Sequence, residues 1–191
     1  MGQSLVIISL MLATFLSAYA FFPALKSELT PANYPSDRVL GRSALLGLAA
    51  ASVAVIASVV ASATSTTTSA PGNVPSITYT QVMTVVIISP IIEELLVRGI
   101  LTESVRFLCE KMRAGSKSAV IAEVVAAVAF VSLHIPSSTN VVLTVFTVGL
   151  LAVLLGELRR RHGVIASIVA HVAYNFLTVV VAVYFTLGAS A

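Results

Sequence analysis

Tryptophan is absent from this 191-residue chain, cysteine occurs once, at Cys109, and charged residues make up only 10% of it. One cysteine excludes an intrachain disulfide, and there is no Cys/His cluster of the kind that holds structural zinc, so the redox compartment is not readable from cysteine usage. The scarcity of charge, with 58% apolar residues and a mean hydropathy of +1.01, excludes an ordinary soluble domain and makes lipid the solvent to assume. Eleven Lys and Arg outnumber eight Asp and Glu, yet the basic residues are confined to short stretches between apolar runs. That confinement is a topology signal and not a nucleic-acid patch. With no Trp and few other aromatics, anchoring at the membrane interface rests on scattered Tyr and Phe and on the basic loops.

A spanning helix needs about 20 mainly apolar residues, and six stretches come close, at roughly 4–25, 43–63, 79–101, 118–134, 140–157 and 164–187. The first could be read as a signal peptide, since Ser17-Ala18-Tyr19-Ala20 resembles a cleavage site, but no Lys or Arg precedes its apolar core. Lys26, Arg38 and Arg42 lie in one connection, Arg106, Lys111, Arg113 and Lys117 in another, and Arg159, Arg160 and Arg161 in a third. The remaining connections and both termini carry no basic residue, which by the positive-inside rule puts these three loops in the cytoplasm and both termini outside. The polar run from Ser65 to Asn73 reads as an external loop, and Glu103 to Lys117 as a helical extension along the cytoplasmic surface. The fold expected is all-α: a polytopic membrane helix bundle of about six transmembrane helices, one integral domain over 1–191, multi-pass in the cell membrane, with the chemistry-bearing helices at 79–187.

Three ionisable residues, Glu93, Glu94 and Arg98, interrupt the third apolar stretch. At the bilayer centre they would together cost about 8–10 kcal/mol, against roughly 4–7 kcal/mol returned by the Leu, Ile and Val around them. Glu94 and Arg98, spaced i, i+4, can pair along one helix face, which leaves Glu93 about 100° away and in need of another reason to be there. A carboxylate beside a second carboxylate in a low-dielectric site suits a general base or acid. Pro90 withholds a donor from the Val86 carbonyl just before the pair. His134 ends the fourth stretch, and His171 and Asn175 share one face of the sixth. Counted from the cytoplasmic ends, Glu94 and His171 each lie about 12 Å deep, and His134 about 17 Å if Glu123 marks the interface and residues 135–139 form a non-helical stretch. Glu103, Glu110, Glu123, Glu157 and His162 read as interfacial or loop residues, Tyr174 and Phe130 as packing.

Glu93-Glu94-Leu95-Leu96-Val97-Arg98, Phe130-Val131-Ser132-Leu133-His134 and His171-Val172-Ala173-Tyr174-Asn175 occur in that order on separate apolar stretches. In this the chain resembles the CAAX protease and bacteriocin-processing (CPBP, or Abi) family of intramembrane proteases, whose signatures are Glu-Glu-x-x-x-Arg, Phe-x-x-x-His and His-x-x-x-Asn. The resemblance covers residues 90–176. It implies a glutamate-type endopeptidase in which Glu93 activates water with help from His134, His171 and Asn175 stabilise the oxyanion, and Glu94 and Arg98 hold the helix geometry.

Glu93, His134 and His171 could in principle ligate zinc, but no His-Glu-x-x-His pair shares a helix and asparagine is a poor zinc ligand, so a site without cofactor is favoured. No Ser lies in a Gly-x-Ser-x-Gly setting, which disfavours a serine mechanism. Two further readings stand beside the peptidase: a non-catalytic membrane partner of a sensor or immunity protein, and a small ion-coupled carrier. Clustering of the polar residues in the C-terminal half, without an inverted repeat, weighs against the carrier. The partners expected are a peptide or membrane-protein substrate and the lipid bilayer, with no nucleic acid; the oligomeric state is unknown.

Overall fold

A computed structural model describes residues 34–64, 78–138 and 140–188, all in helices, turns and short connections, with no strand among them. The expected first span, its signal-like segment and the 65–73 loop lie outside the described residues. Helix α1 is Asp37–Thr64. A continuous helical run follows from Tyr79 to Lys111, in which α2 (Tyr79–Met83), α3 (Ser89–Glu93) and α4 (Thr102–Lys111) are separated by two wide, π-helical stretches at Thr84–Ile88 and Glu94–Leu101. Helices α5 (Ser118–His134), α6 (Val141–His162) and α7 (Val164–Gly188) complete the described chain.

Among the described residues, four helical segments are long and apolar enough to cross a membrane: Asp37–Ala61, Gly115–His134, Val141–His162 and Val164–Phe185. The expected span at 79–101 is not one of them. Its residues are helical throughout, but in short segments of changing pitch, because the charges and Pro90 sit where a regular apolar helix would run. This run packs its π-helical stretches on α7 and α5 instead of presenting a uniform apolar cylinder.

Local sequence sets the helix ends. Thr78 and Gln81 form a reciprocal capping box, and the Asn140 side chain accepts from the Leu143 amide at 3.0 Å to open α6. Gly163 alone separates α6 from α7, at φ 83°, a conformation that costs glycine little and any other residue more. The chain reverses there, so Arg159, Arg160 and Arg161 at the end of α6 lie beside the start of α7. Arg159 in turn reaches Glu103 of α4 and Glu123 of α5, which brings the 102–117 connection to the same end of the bundle. The segment after the π-helical turns is helical as expected, and Phe107, Leu108 and Met112 are exposed on it, whereas Glu103 is buried.

The apolar core of the bundle is formed by Val97, Ala126, Phe130, Leu151, Ala152, Leu155 and Leu158, with Ala170 of α7. Long apolar side chains such as Val124, Val142, Val153 and Phe176 point outward, as they do when the surrounding medium is hydrocarbon.

Candidate active site

The two wide turns shape the site. Where the chain is π-helical the Ser89 amide donates to the Thr84 carbonyl, five residues back. In that register residue 90 would serve the Val85 carbonyl, but proline has no N–H. The acceptor left over is therefore on Val85, one residue from the Val86 expected for a regular α-helix. The Asn175 amide of α7 fills it, with Nδ2 donating to the Val85 carbonyl at 2.9 Å. A second five-residue step closes the other wide stretch, where the Thr102 amide and hydroxyl both donate to the Val97 carbonyl.

Glu93 stands between these stretches. Its Oε1 accepts a 2.6 Å hydrogen bond from the Ser89 hydroxyl one turn earlier, a partner that sequence reading did not single out. Its Oε2 is buried, has no hydrogen-bond partner, and faces two imidazoles, His134 Nε2 of α5 at 3.8 Å and His171 Nε2 of α7 at 3.9 Å. Those separations are too long for direct hydrogen bonds and short enough for one small group to touch all three. His134 Nδ1 lies 2.8 Å from the Phe130 carbonyl, which can only accept, so Nδ1 carries a proton; Nε2 is the nitrogen turned toward Glu93, and in a neutral imidazole of this tautomer it is an acceptor. Phe130 packs against both rings, with centroids 4.8 Å from His134 and 5.5 Å from His171.

Behind this trio lies a line of buried charge. Glu94 is fully buried; Oε1 faces His171 Nδ1 at 3.3 Å and Oε2 faces Arg98 Nε at 3.8 Å. Arg98, also fully buried, donates from Nη2 to the Ala152 carbonyl at 2.7 Å, stacks over Phe130, and turns Nη1 toward Glu123 Oε2 at 3.6 Å. Glu123 bridges onward to Arg159 at 3.7 Å, and Arg159 pairs with Glu103.

The structure thus gathers Glu93, His134, His171, Glu94 and Arg98 from three separate helical regions. Asn175 shares the His171 face one turn away, but its amide is engaged with Val85. Glu123, read from sequence as interfacial, sits inside the bundle between two arginines, and Glu103, read the same way, is buried against Arg159. A lone Glu in the otherwise apolar run from Ala119 to Phe130 was the signal for Glu123; what it paired with depended on α6 and the π-helical stretch. Residues 135–137, expected to be non-helical, form a single tight 3₁₀ turn after His134. Among the described residues no group of three His, Cys, Asp or Glu has the spacing of a metal site.

No curated protein matches the chain, and no solved structure does. A family model described as type II CAAX prenyl endopeptidase Rce1-like matches residues 75–177, which contains all three motifs and every helix that contributes to the Glu93 centre. The match spans more than half of the sequence, and the chain accordingly belongs to the Rce1-like family of type II CAAX prenyl endopeptidases.

Proposed function

We propose that the chain is an intramembrane endopeptidase of the glutamate type. The observation that carries this reading is the buried, unpartnered Glu93 Oε2 facing the Nε2 atoms of histidines from two other helices. A water between Glu93 and His134 meets two acceptors, so it donates both hydrogens and turns its oxygen lone pairs to the remaining space. Glu93 takes one proton as that oxygen adds to the peptide carbonyl carbon. His171 acts as the imidazolium, with Nδ1–H toward Glu94 and Nε2–H toward the developing oxyanion, and the second amide hydrogen of Asn175 is left for the same oxygen while the first holds Val85. Collapse of the tetrahedral intermediate breaks the C–N bond, and the proton on Glu93 passes to the departing amine. A carboxylic acid and an amine leave, becoming carboxylate and ammonium by proton exchange in water, and Glu93 is again ionised.

Water is activated in this scheme by the carboxylate directly, with no metal. The substrates are peptides or membrane-bound proteins, entering from the cytoplasmic side of the cell membrane, because the basic segments at Arg106–Lys117 and Arg159–Arg161 mark that side. Cleavage of a quenched-fluorescent peptide library by the purified chain in detergent tests the reading. Activity that survives a chelator and disappears in both Glu93→Gln and His171→Ala is the expected result. Loss to the chelator would replace direct catalysis by a zinc mechanism on Glu93, His134 and His171, and unchanged cleavage by Glu93→Gln would overturn the assignment of the base. Orientation has its own test: Cys109, the only thiol, lies in the segment expected inside, so an impermeant maleimide should label it in inverted vesicles and not in right-side-out cells.

A further inference from the structure

We infer that Glu123 is a positioning residue for the reaction, and that Gly156 is the clearing in α6 that admits it. This rests on the peptidase reading above. Arg98 is enclosed by protein on all sides, and its guanidinium is addressed by two carboxylates at similar range, Glu94 at 3.8 Å and Glu123 at 3.6 Å. Neither contact is a close hydrogen bond; Nη2 is anchored on the Ala152 carbonyl at 2.7 Å, and the orientation of Nε and Nη1 about that anchor reflects a balance of two attractions in a low-dielectric interior, where charge interactions are strong. Remove the charge on Glu123 and the balance tips toward Glu94, the carboxylate that also faces His171 Nδ1. Glu123 therefore acts on His171 through Arg98 and Glu94, without touching the reacting atoms.

The opposite wall supports the same assignment. A Cβ added at Gly156 would stand 2.8 Å from Glu123 Oε2 and 3.5 Å from Arg98 Nη1. Any larger residue there would push the carboxylate off the arginine. Gly149, two turns earlier on the same helix, has nothing within 4 Å of such a Cβ, so its replacement is a control for helix effects alone. Glu123 also lines the inner wall of a cavity of about 520 Å³ between α4, α5 and α6, where its side chain keeps 24% exposure.

The test compares kcat and KM for wild type, Glu123→Gln, Gly156→Ala, Gly149→Ala, Glu94→Gln and the Glu94→Gln/Glu123→Gln double variant, all purified as the full chain. Small displacements near reacting groups can cost up to about 100-fold in rate, so kcat should fall roughly 10- to 100-fold in Glu123→Gln and Gly156→Ala, with KM little changed. Gly149→Ala should behave as wild type, and the double variant should be no worse than Glu94→Gln, since both act along one line. A wild-type kcat in Glu123→Gln, or additive losses in the double variant, overturns the inference while leaving the peptidase reading intact. Activity retained by Glu93→Gln in the same series sinks the peptidase reading instead. A readout independent of substrate is the imidazole nitrogen NMR signal of His171, assigned by its loss in His171→Gln. It should move in Glu123→Gln, and an unmoved signal also overturns the inference.

Discussion

Two of the contacts that hold α7 in the bundle are built from opposite materials. Toward α1 the interface is small and apolar. Ser43, Gly47 and Ala51 recur every four residues on α1 and are all buried, and a Cβ at Gly47 would lie 2.1 Å from the Ala170 carbonyl oxygen of α7. The buried hydroxyls of Ser43 and Ser167 return to their own helices, so closeness of backbones and not polar bonding joins this pair. Toward the 79–111 run, the same helix offers His171 and Asn175 to carboxylates and a bare carbonyl. In hydrocarbon, apolar side chains gain little from burial against one another, so the first contact depends on shape alone. The second depends on charge that cannot remain in lipid, and it includes the residues to which the proposed chemistry is assigned.

Substitutions should separate the two contacts. The largest effect belongs to Arg98→Ala, which leaves Glu94 buried without its cation and Glu123 with Arg159 alone; removing one partner of a buried ion pair costs about 3–5 kcal/mol, and both thermal stability in detergent and cleavage should fall together. If Tm is unchanged, the polar centre is not holding the bundle. Glu93→Gln should reduce cleavage by about 10²–10⁴-fold, the usual contribution of a general base, while Tm stays within error of wild type. Gly47→Leu is its mirror image. Overpacking a close contact costs typically 1–3 kcal/mol, so Tm should drop while kcat of the folded fraction is retained; a fall in kcat at unchanged Tm would mean that α1 shapes the site. Asn175→Ala tests both sides at once. It strips the Val85 carbonyl of its donor, a net loss of about 0.5–1.5 kcal/mol for one hydrogen bond, and should lower kcat strongly with only a small drop in Tm if the second amide hydrogen serves the oxyanion. At the bottom of the scale, Glu157→Gln removes exposed pairs with Arg160 and Arg161 and should change neither quantity.

Membrane character was plain in the sequence, because a composition this apolar has no soluble alternative, and so were the spans at α1, α5, α6 and α7, each a long run with polar ends. The third stretch was harder to read. Its apolar count favoured a regular span, but π-helical turns arise from how charges and Pro90 settle against α5 and α7, which no local pattern encodes. Among the motif residues, the i, i+4 spacing predicted the Glu94–Arg98 pair and the shared face of His171 and Asn175, since both are properties of one helix. Counting residues from the cytoplasmic ends puts Glu94 and His171 in one layer and His134 deeper, because a residue count carries no helix tilt or change of pitch.

What the sequence determined by itself is therefore what one helix can specify: which segments are apolar, which residues share a face, which end of each span is basic, and that Glu93 lacks a cationic partner on its own helix. The tertiary structure decided the rest. It set Glu93 between two histidines, gave Glu94 a second contact in His171, drew Asn175 to the carbonyl that Pro90 leaves unserved, and brought Glu123 inward to Arg98 through the gap at Gly156. A buried charge in lipid must find an opposite charge or a dipole, but the partner it finds lies on another helix, and only packing chooses which.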